Sequence, residues 1–183
     1  MPPLVLVTTK PGKEGVVEEE IADCLYRLDP AVRIERAGFR GVLKVYTSIP
    51  SRVAAKAIKR CWISHIGRAV PVDVVMRRPD LRAVVEAVIE LAKGVSGSVA
   101  VRFVKRGGRL GSTSQVEAEV GRALKERLGL GIELEDPDYE VRVEELEEEV
   151  LLSLLSREDR AAQARPWPPR PLADDTYSNA SFS

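Results

Sequence analysis

The chain has 183 residues, of which 44% are hydrophobic, and its 28 Lys and Arg residues balance its 28 Asp and Glu residues. This length and hydrophobic content predict one domain of ordinary size or two small ones, each with a packed core. The N-terminus lacks the basic start and long apolar stretch of a signal peptide, and no apolar run approaches the roughly 20 residues of a spanning helix. We therefore expect a cytoplasmic protein with no membrane partner.

The cysteine and histidine content is low, since Cys24, Cys61 and His65 are the only such residues. A structural zinc needs about four nitrogen or sulfur ligands, so we expect no metal site. The two cysteines form no CxxC motif, and we interpret them as buried, reduced thiols. Only two Gln and one Asn occur while charged residues reach 31%, a bias that favours a heat-adapted source.

The first 76 residues show hydrophobic patterns in the order β-α-β-β-α-β. Strands are predicted at residues 4–8, 32–34, 42–47 and 70–76, and helices at 14–28 and 51–61. Ser51 is the expected N-cap of the second helix. This order is that of the ferredoxin-like, split βαβ arrangement, so we predict an N-terminal ferredoxin-like domain over residues 1–76.

The pattern then restarts with a helix that begins at Pro79-Asp80 and ends at Gly94. A strand is expected at 98–105, a helix at 114–128, and strands at 140–144 and 150–155. Strict alternation at 140–144 predicts a strand with one face exposed to solvent. The fold class is therefore α+β with two domains, at 1–76 and 77–156, followed by a flexible tail at 157–183 that is rich in Pro, Ser and Asp.

The charge is unevenly distributed although the net charge is zero. Residues 33–78 contain eleven Lys or Arg against two acids, a balance of +9, and residues 99–115 contain four basic residues and no acid. Residues 133–149 contain ten acids against one Arg, a balance of −9. A basic middle suits a polyanion, and an acidic end suits solvent or a basic protein partner.

The segment at 104–124 joins basic residues and glycines to the start of an amphipathic helix. Its glycines match neither the P-loop nor the Rossmann motif, so we expect no nucleotide cofactor. A helix N-terminus beside basic residues binds anions, and glycines let the backbone approach a ligand. A solvated strand-to-helix loop is equally compatible with these residues. The candidate RNA-binding residues here are Arg102, Lys105, Arg106, Arg109, Ser112 and Ser114, the two serines being possible first residues of a capping box.

A second basic element lies in the helix after Ser51. Four cations fall at i, i+4, i+7 and i+8, which places them on one helix face with no acid between them. A solvated face is the alternative, but this stripe favours contact with a phosphate backbone. We call it the α2 stripe; it consists of Arg52, Lys56, Lys59 and Arg60.

An aromatic stacking platform is the other way in which such a chain would hold RNA. Phe39 and Tyr46 faintly resemble the aromatic strand of an RRM, which needs two or three exposed aromatics on neighbouring strands. The chain is only 5% aromatic, and the predicted first strand has none. We therefore expect RNA to be held by its backbone and ends.

The second half resembles a THUMP domain in a series of motifs that occur in order. These are a strand ending in basic residues (102–106), a glycine-containing loop (107–111), a Ser-rich helix start (112–114), Val120-Gly121 within the helix, and Asp136-Pro137-Asp138 before a strand. The resemblance covers roughly residues 77–156. Residues 1–76 are similar, on weaker grounds, to the ferredoxin-like domain that usually precedes THUMP.

The resemblance implies a tRNA-binding module that holds the acceptor stem and 3′ end while a separate domain modifies a base. Asp136-Pro137-Asp138-Tyr139 only superficially resembles a methyltransferase DPPY motif, and no glycine-rich S-adenosylmethionine loop precedes it. We therefore expect a non-enzymatic protein without a cofactor. It is similar to the stand-alone THUMP proteins that present tRNA to the tRNA cytidine N4-acetyltransferase.

Three questions stay open from the sequence. The acidic run at 144–149 and Trp167-Pro168-Pro169 in the tail are either contacts for an enzyme partner or solvated segments. The partner is alternatively a methyltransferase or a thiolation enzyme. An uncharacterised enzyme that acts on tRNA directly is a further alternative.

Overall fold

The computed structural model describes residues 3–161, which form nine strands and five helices in two sheets. The elements of the first sheet are β1 (Leu4–Thr9), α1 (Glu14–Leu25), β2 (Arg33–Arg36), β3 (Val42–Tyr46), α2 (Ser51–Arg60) and β4 (Ile66–Val72). The elements of the second sheet are β5 (Val74–Arg77), α3 (Leu81–Leu91), β6 (Ser98–Lys105), α4 (Thr113–Leu128), β7 (Gly131–Ile132), β8 (Tyr139–Glu145), β9 (Glu149–Ser156) and α5 (Arg157–Arg160).

The first sheet has the strand order β2-β3-β1-β4, and all its pairings are antiparallel. Alternate residues of β1, Val5 and Val7, face the two helices and pack with Val17, Ile21 and Ile58. Apolar side chains recur every two residues in the strand and about every four in the helices, so one face of each element is apolar. These faces pack together as a layer of helices on a sheet. The arrangement is consistent with the predicted ferredoxin-like domain.

The two cysteines form a disulfide that links α1 to the end of α2, with Cα atoms 6.1 Å apart for Cys24 and Cys61. The interpretation as reduced thiols is therefore wrong, because helix packing brings together two residues that are 37 apart in sequence. Disulfides occur in intracellular proteins of hyperthermophiles as well as in oxidising compartments. The cytoplasmic location and the heat-adapted source stay predictions.

The strand predicted at 70–76 is two strands that belong to different sheets. Asp73 separates β4 from β5, and its carboxylate accepts hydrogen bonds from the Leu154 amide (2.8 Å) and from Arg52 (3.1 Å). β4 pairs with β1 whereas β5 pairs with β9. The predicted domain boundary between residues 76 and 77 thus lies within β5, whereas the change from the first sheet to the second is at Asp73.

The second sheet has the order β5-β9-β8-β6-β7, in which β6 runs parallel to both β8 and β7. Helices α3 and α4 cover one face and bury Val84, Val120 and Leu124 against the strands. The predicted helix starts at Asp80 and Ser112 are N-caps, accepting from Ala83 N (2.7 Å) and Gln115 N (3.2 Å). Ser51 is not a cap, since the N-cap of α2 is Pro50, which offers no side-chain acceptor.

The remaining faces of the two sheets pack against each other through a shared apolar cluster. Leu4, Leu6 and Val42 of the first sheet meet Leu146 and Leu151 of the second. The contact buries the face of β8 that was predicted to be exposed to solvent, because Glu144 is the register partner of Leu151 and is itself only 2% exposed. Both faces of β8 at residues 140–144 are therefore largely buried, one apolar and the other lined by paired charges.

The charged face of β8 is paired by Arg142 within the strand and by Arg106, which follows β6. Arg142 is 8% exposed and donates to Glu140 (2.9 Å) and Glu144 (2.7 Å). Burial alone would lower the pKa of Arg142, but the two carboxylates together raise it. Buried charges are tolerated in proteins when they are paired in this way.

The chain after β9 continues into α5, where Ser156 and Asp159 form a reciprocal capping box. Residues 157–160 of the predicted tail are therefore helical. The rest of that tail, with Trp167-Pro168-Pro169, lies outside the described residues.

Candidate nucleic-acid interface

The α2 stripe faces the C-terminal end of the second sheet. Arg52 forms an ion pair with Asp73, donates to the Leu154 carbonyl (2.7 Å), and lies 3.4 Å from the Asp159 carboxylate. The hydrogen bond to Asp73 is the largest of the effects that raise the pKa of Arg52. Arg52 thus ties α2 to the strand connection and to β9.

Two other cations of the α2 stripe contact α5. Lys56 pairs with Glu158, and the Lys59 ammonium donates to the Asp159 carbonyl. Burial lowers the pKa of Lys59 in spite of the nearby acids. Among the described residues only Arg60 of the stripe has no hydrogen-bond or ion-pair partner, so three of its four cations already stabilise the contact between the sheets.

A groove of about 680 Å³ runs between α2 and α5 beside this contact. Its rim includes Val53, which is 49% exposed, and the acids Glu158 and Asp159. A phosphate backbone entering here would meet both signs of charge. The groove is thus a poorer anion site than the sequence of α2 indicates.

The glycine loop (residues 107–111) is wrapped around the buried carboxylate of Glu145. One oxygen of Glu145 accepts hydrogen bonds from the amides of Arg109 (2.7 Å) and Leu110 (2.8 Å). Gly108 adopts φ +86, and a Cβ there would overlap this carboxylate. The glycines therefore let the loop backbone approach the Glu145 side chain rather than an external ligand. These two amides are not available to an external phosphate.

Arg106 and Arg109 have different environments in this segment. Arg106 is 18% exposed at its side chain and pairs with Glu144, which is 3% exposed. Arg109 is exposed, and its guanidinium has no hydrogen bond or ion pair with any described residue. Arg106 is thus a half-buried, paired cation, whereas Arg109 is a surface cation. The predicted role of Arg106 in RNA binding is untested.

The other cations of this segment are tethered but accessible. The Lys105 ammonium donates to the Gly111 carbonyl (2.9 Å), and Arg102 donates to the Leu134 carbonyl (2.8 Å). Both hydrogen bonds are to neutral carbonyl groups, so neither positive charge is neutralised. Lys105 thereby presents its charge at the end of the loop that precedes α4.

The N-terminus of α4 lies directly after the glycine loop. The Ser112 hydroxyl caps the helix and lies 3.3 Å from the exposed Ser114 hydroxyl. The partial positive charge of the helix end and two hydroxyl groups thus lie in the same short segment as Lys105 and Arg109. These four residues are among the most accessible of the predicted ones, and Arg109 also lines a groove with Glu147 and Glu148, so it meets both signs of charge there.

The predicted acidic and aromatic surfaces are largely used within the fold. In the acidic run Glu144 and Glu145 are buried, Glu148 pairs with Arg78, and Glu149 pairs with Lys44. Two aromatic side chains, Phe39 and Tyr46, are partly buried in the cluster between the sheets. They form no exposed stacking platform.

Four exposed cations that the sequence analysis did not single out lie at one end of the first sheet. Their side chains make no hydrogen bond or ion pair with any residue in the described range 3–161. The signal that identifies three of them is their position beside a glycine in a loop or strand end, namely Gly12, Gly41 or Gly67, and the fourth precedes Pro11-Gly12. We call them the β1-end cluster; they are Lys10, Lys13, Arg40 and Arg68.

The described part of the chain has neither a membrane-spanning helix nor a metal-binding cluster. None of its helices has the length and apolar content needed to cross a membrane. Across residues 3–161, no group of three or more His, Cys, Asp or Glu side chains is arranged to hold a metal ion.

The family model of the THUMP domain matches residues 80–155. This range begins at the cap of α3 and ends in β9, so it contains the glycine loop, the start of α4 and the buried glutamates. Residues 80–155 therefore match a THUMP domain, a class of domain associated with tRNA binding and tRNA modification. A search by sequence found no similar protein among those with curated functions.

Several solved structures are similar in fold. TrmN from Thermus thermophilus has a TM-score of 0.63 and 23% identity over 83% of this chain and 45% of its own. PH1313 from Pyrococcus horikoshii Ot3 has a TM-score of 0.63 and 18% identity, over 84% and 55%. A 4-thiouridine synthetase, solved in complex with RNA and ATP, has a TM-score of 0.59 and 16% identity, over 85% and 41%. The chain thus spans about half the length of the structures it resembles, and the likeness shows a shared fold.

Proposed function

We propose that this chain is a non-catalytic tRNA-binding protein that holds the acceptor stem and 3′ end of tRNA for a separate modification enzyme. The single observation that carries the proposal is the THUMP domain at residues 80–155. The accessible positive charge of Lys105 and Arg109 beside the N-terminus of α4 supports it, because such a site binds phosphate. The fold it shares with a synthetase solved in complex with RNA is further support.

The proposed ligand is tested by comparing two forms of the same tRNA. The purified chain is titrated into intact tRNA and into tRNA trimmed of its last 3′ nucleotides, and the two dissociation constants are measured by filter binding. We expect weaker binding to the trimmed form. Equal affinity would refute the 3′-end preference, and the lack of binding to either form at low salt would refute the proposed function.

The proposed partner is a tRNA cytidine N4-acetyltransferase, for which the chain would act as an adaptor. Support comes from the resemblance of the sequence to stand-alone THUMP adaptors. Capture of the tagged chain from its host, followed by mass spectrometry of what co-purifies, tests this proposal. Recovery of a different tRNA-modification enzyme would replace the acetyltransferase as partner and leave tRNA binding unaffected.

A second candidate function is that of the RNA-binding part of a methyltransferase or thiolation enzyme. It is favoured by the fold shared with longer proteins, among them a 4-thiouridine synthetase, of which the chain covers 41% to 55%. Recovery of a methyltransferase or thiolation enzyme in the capture experiment would support it. An enzyme that acts on tRNA directly is tested separately: the purified chain is incubated with tRNA and each cofactor class, and modified nucleosides are measured by mass spectrometry. A new modified nucleoside would refute the non-catalytic assignment.

A further inference from the structure

The groove between α2 and α5 has an apolar lining that residues 3–161 leave open to solvent. Ala55, Tyr139 and Leu154 line it, and Val53 of α2, which also lines it, is 49% exposed. Covering apolar surface of this kind stabilises a complex by about 25 cal/mol for each Å² removed from water. The groove is therefore suited to a large apolar or aromatic side chain.

The rim of this groove carries both signs of charge. Arg60 lies on the α2 side, and Glu158 and Asp159 lie on the α5 side, where Glu158 pairs with Lys56. A ligand with charges of one sign only would meet like charges here. A peptide segment that has both cations and acids around an aromatic residue matches the groove better.

The chain itself supplies such a segment, and it starts at the groove. Ala161, the last described residue, is one of the residues that line the groove. The sequence continues as AQARPWPPRPLADD over residues 162–175, in which Trp167 is the only aromatic residue. Arg165 and Arg170 flank this tryptophan, and two aspartates end the segment. Its aromatic residue, its cations and its acids correspond to the three features of the groove.

The position of Ala161 allows Trp167 to reach the whole α2 side of the groove. Six residues separate the two, and a proline-rich chain extends by about 3.1 Å per residue, which gives a reach of roughly 19 Å. The α2 side, from Val53 to Arg60, is only about 10 Å long at 1.5 Å per residue. No described residue therefore has to move for the tryptophan to enter the groove.

Two properties of the segment favour docking within the same chain. Its prolines restrict the backbone before docking, so less conformational entropy is lost when the segment is held. Attachment at Ala161 also gives the segment an effective concentration on the order of millimolar at the groove. A contact that would be weak between separate molecules is then sufficient.

We propose that residues 162–175 of the chain dock in the groove between α2 and α5. The indole of Trp167 covers Val53 and Leu154 and lies beside the guanidinium of Arg60, an arrangement that adds a cation–π attraction. The segment thereby closes the groove to RNA and to other proteins. This inference is independent of the proposed function, because neither tRNA nor an enzyme partner takes part in the contact.

The test measures how well Trp167 is protected from solvent. The chain has two tryptophans, so the full chain carrying Trp62→Phe reports on Trp167 alone. Quenching of its fluorescence by acrylamide is compared with that of a free peptide of residues 162–183. Val53→Glu is then added to alter the groove. Val16→Glu is the matched control, because Val16 is 45% exposed on α1 and is not a lining residue.

We expect a quenching constant about threefold smaller in the chain than in the peptide, as for a contact that is formed most of the time. Val53→Glu should raise the constant toward the value of the peptide, and Val16→Glu should leave it unchanged. Equal quenching in chain and peptide would overturn the inference and leave the groove open to a separate partner. An equal effect of the two substitutions would overturn it as well.

Three further measurements keep the outcome interpretable. Protection that increases with protein concentration would place the segment in the groove of a second copy and contradict docking within one chain. If Val53→Glu lowers the melting temperature, Val53→Ser replaces it, and unchanged quenching in that variant overturns the inference. If Trp62→Phe lowers the melting temperature, the indole signals of the unaltered chain are separated by NMR and assigned with Trp167→Phe. A Trp167 signal at the position it has in the free peptide would then refute docking.

Discussion

Arg106 and Arg109 lie three residues apart, and replacing each by alanine separates a structural cation from a candidate RNA contact. Arg106 pairs with Glu144, and the two side chains are 18% and 3% exposed. Arg106→Ala leaves Glu144 buried with Arg142 as its remaining partner, at 2.7 Å. We therefore expect a loss of stability from this substitution.

The magnitude follows from the burial of the pair. Removing one partner of a buried ion pair costs about 3–5 kcal/mol of unfolding free energy. The remaining bond of Glu144 to Arg142 places this substitution at the lower end, about 3 kcal/mol. For a chain of this size each kcal/mol shifts the melting temperature by about 2–4 °C, so the expected decrease is roughly 6–12 °C.

Arg109→Ala removes an exposed guanidinium that has no partner in the described part of the chain. Its unfolding free energy is expected to change by no more than ~0.5 kcal/mol. Its tRNA affinity is expected to fall about fivefold, which corresponds to ~1 kcal/mol for one lost phosphate contact. The two variants thus differ in which measurement they change.

Calorimetry and filter binding on the same preparations give both values. A wild-type melting temperature for Arg106→Ala would show that its ion pair contributes no net stability. A decrease in melting temperature for Arg109→Ala as large as that for Arg106→Ala would show that both arginines are structural. Either result would refute the distinction drawn between them.

Three further predictions concern stability. Replacing both cysteines by serine removes a 37-residue loop closure, and we expect a loss of about 3–4 kcal/mol in denaturant unfolding; no change in the midpoint would refute this. Gly108→Ala is expected to lower the melting temperature more than Gly94→Ala, because both glycines have positive φ but only the Cβ at 108 meets other atoms; equal decreases would contradict the packing of the loop. Hydrogen bonds from the Ser48 amide lower the pKa of Asp29, so its stabilisation is complete above its unfolded value of about 3.8 and is lost as the pH falls through the folded pKa. The difference in melting temperature between the wild type and Asp29→Asn should therefore be constant at pH values well above 3.8 and change as the pH falls below 3.8, and a difference that is the same at all pH values would refute the linkage.

The order of elements could be predicted from the sequence because it depends on local periodicity. Apolar spacing located most elements of both sheets but not β7 or α5, and it merged β4 and β5. The capping residues Asp80 and Ser112 marked two helix starts. Periodicity does not show what each face of a strand packs against. The alternation around Val141 and Val143 is the same whether the charged face meets water or a second sheet.

The candidate site was harder to predict because charge pairing is decided in three dimensions. The α2 stripe has no acid within it, yet Arg52 pairs with Asp73, and the acceptors of Lys56 and Lys59 are Glu158 and Asp159, about 100 residues later. The glycine loop resembles a phosphate-binding loop for a physical reason, since its amides do bind a carboxylate, that of Glu145. The sequence showed that these segments carry cations and exposed amides, but not which acceptors within the protein bind them.

The central claim, that the chain binds tRNA through phosphate contacts, is tested most directly by the salt dependence of tRNA affinity. The dissociation constant of the wild-type chain is measured for one tRNA across a series of salt concentrations. We predict a log–log slope of the association constant on the order of −3 to −6, as expected when several phosphates are neutralised. An affinity independent of salt, or no binding at low salt, would contradict the account.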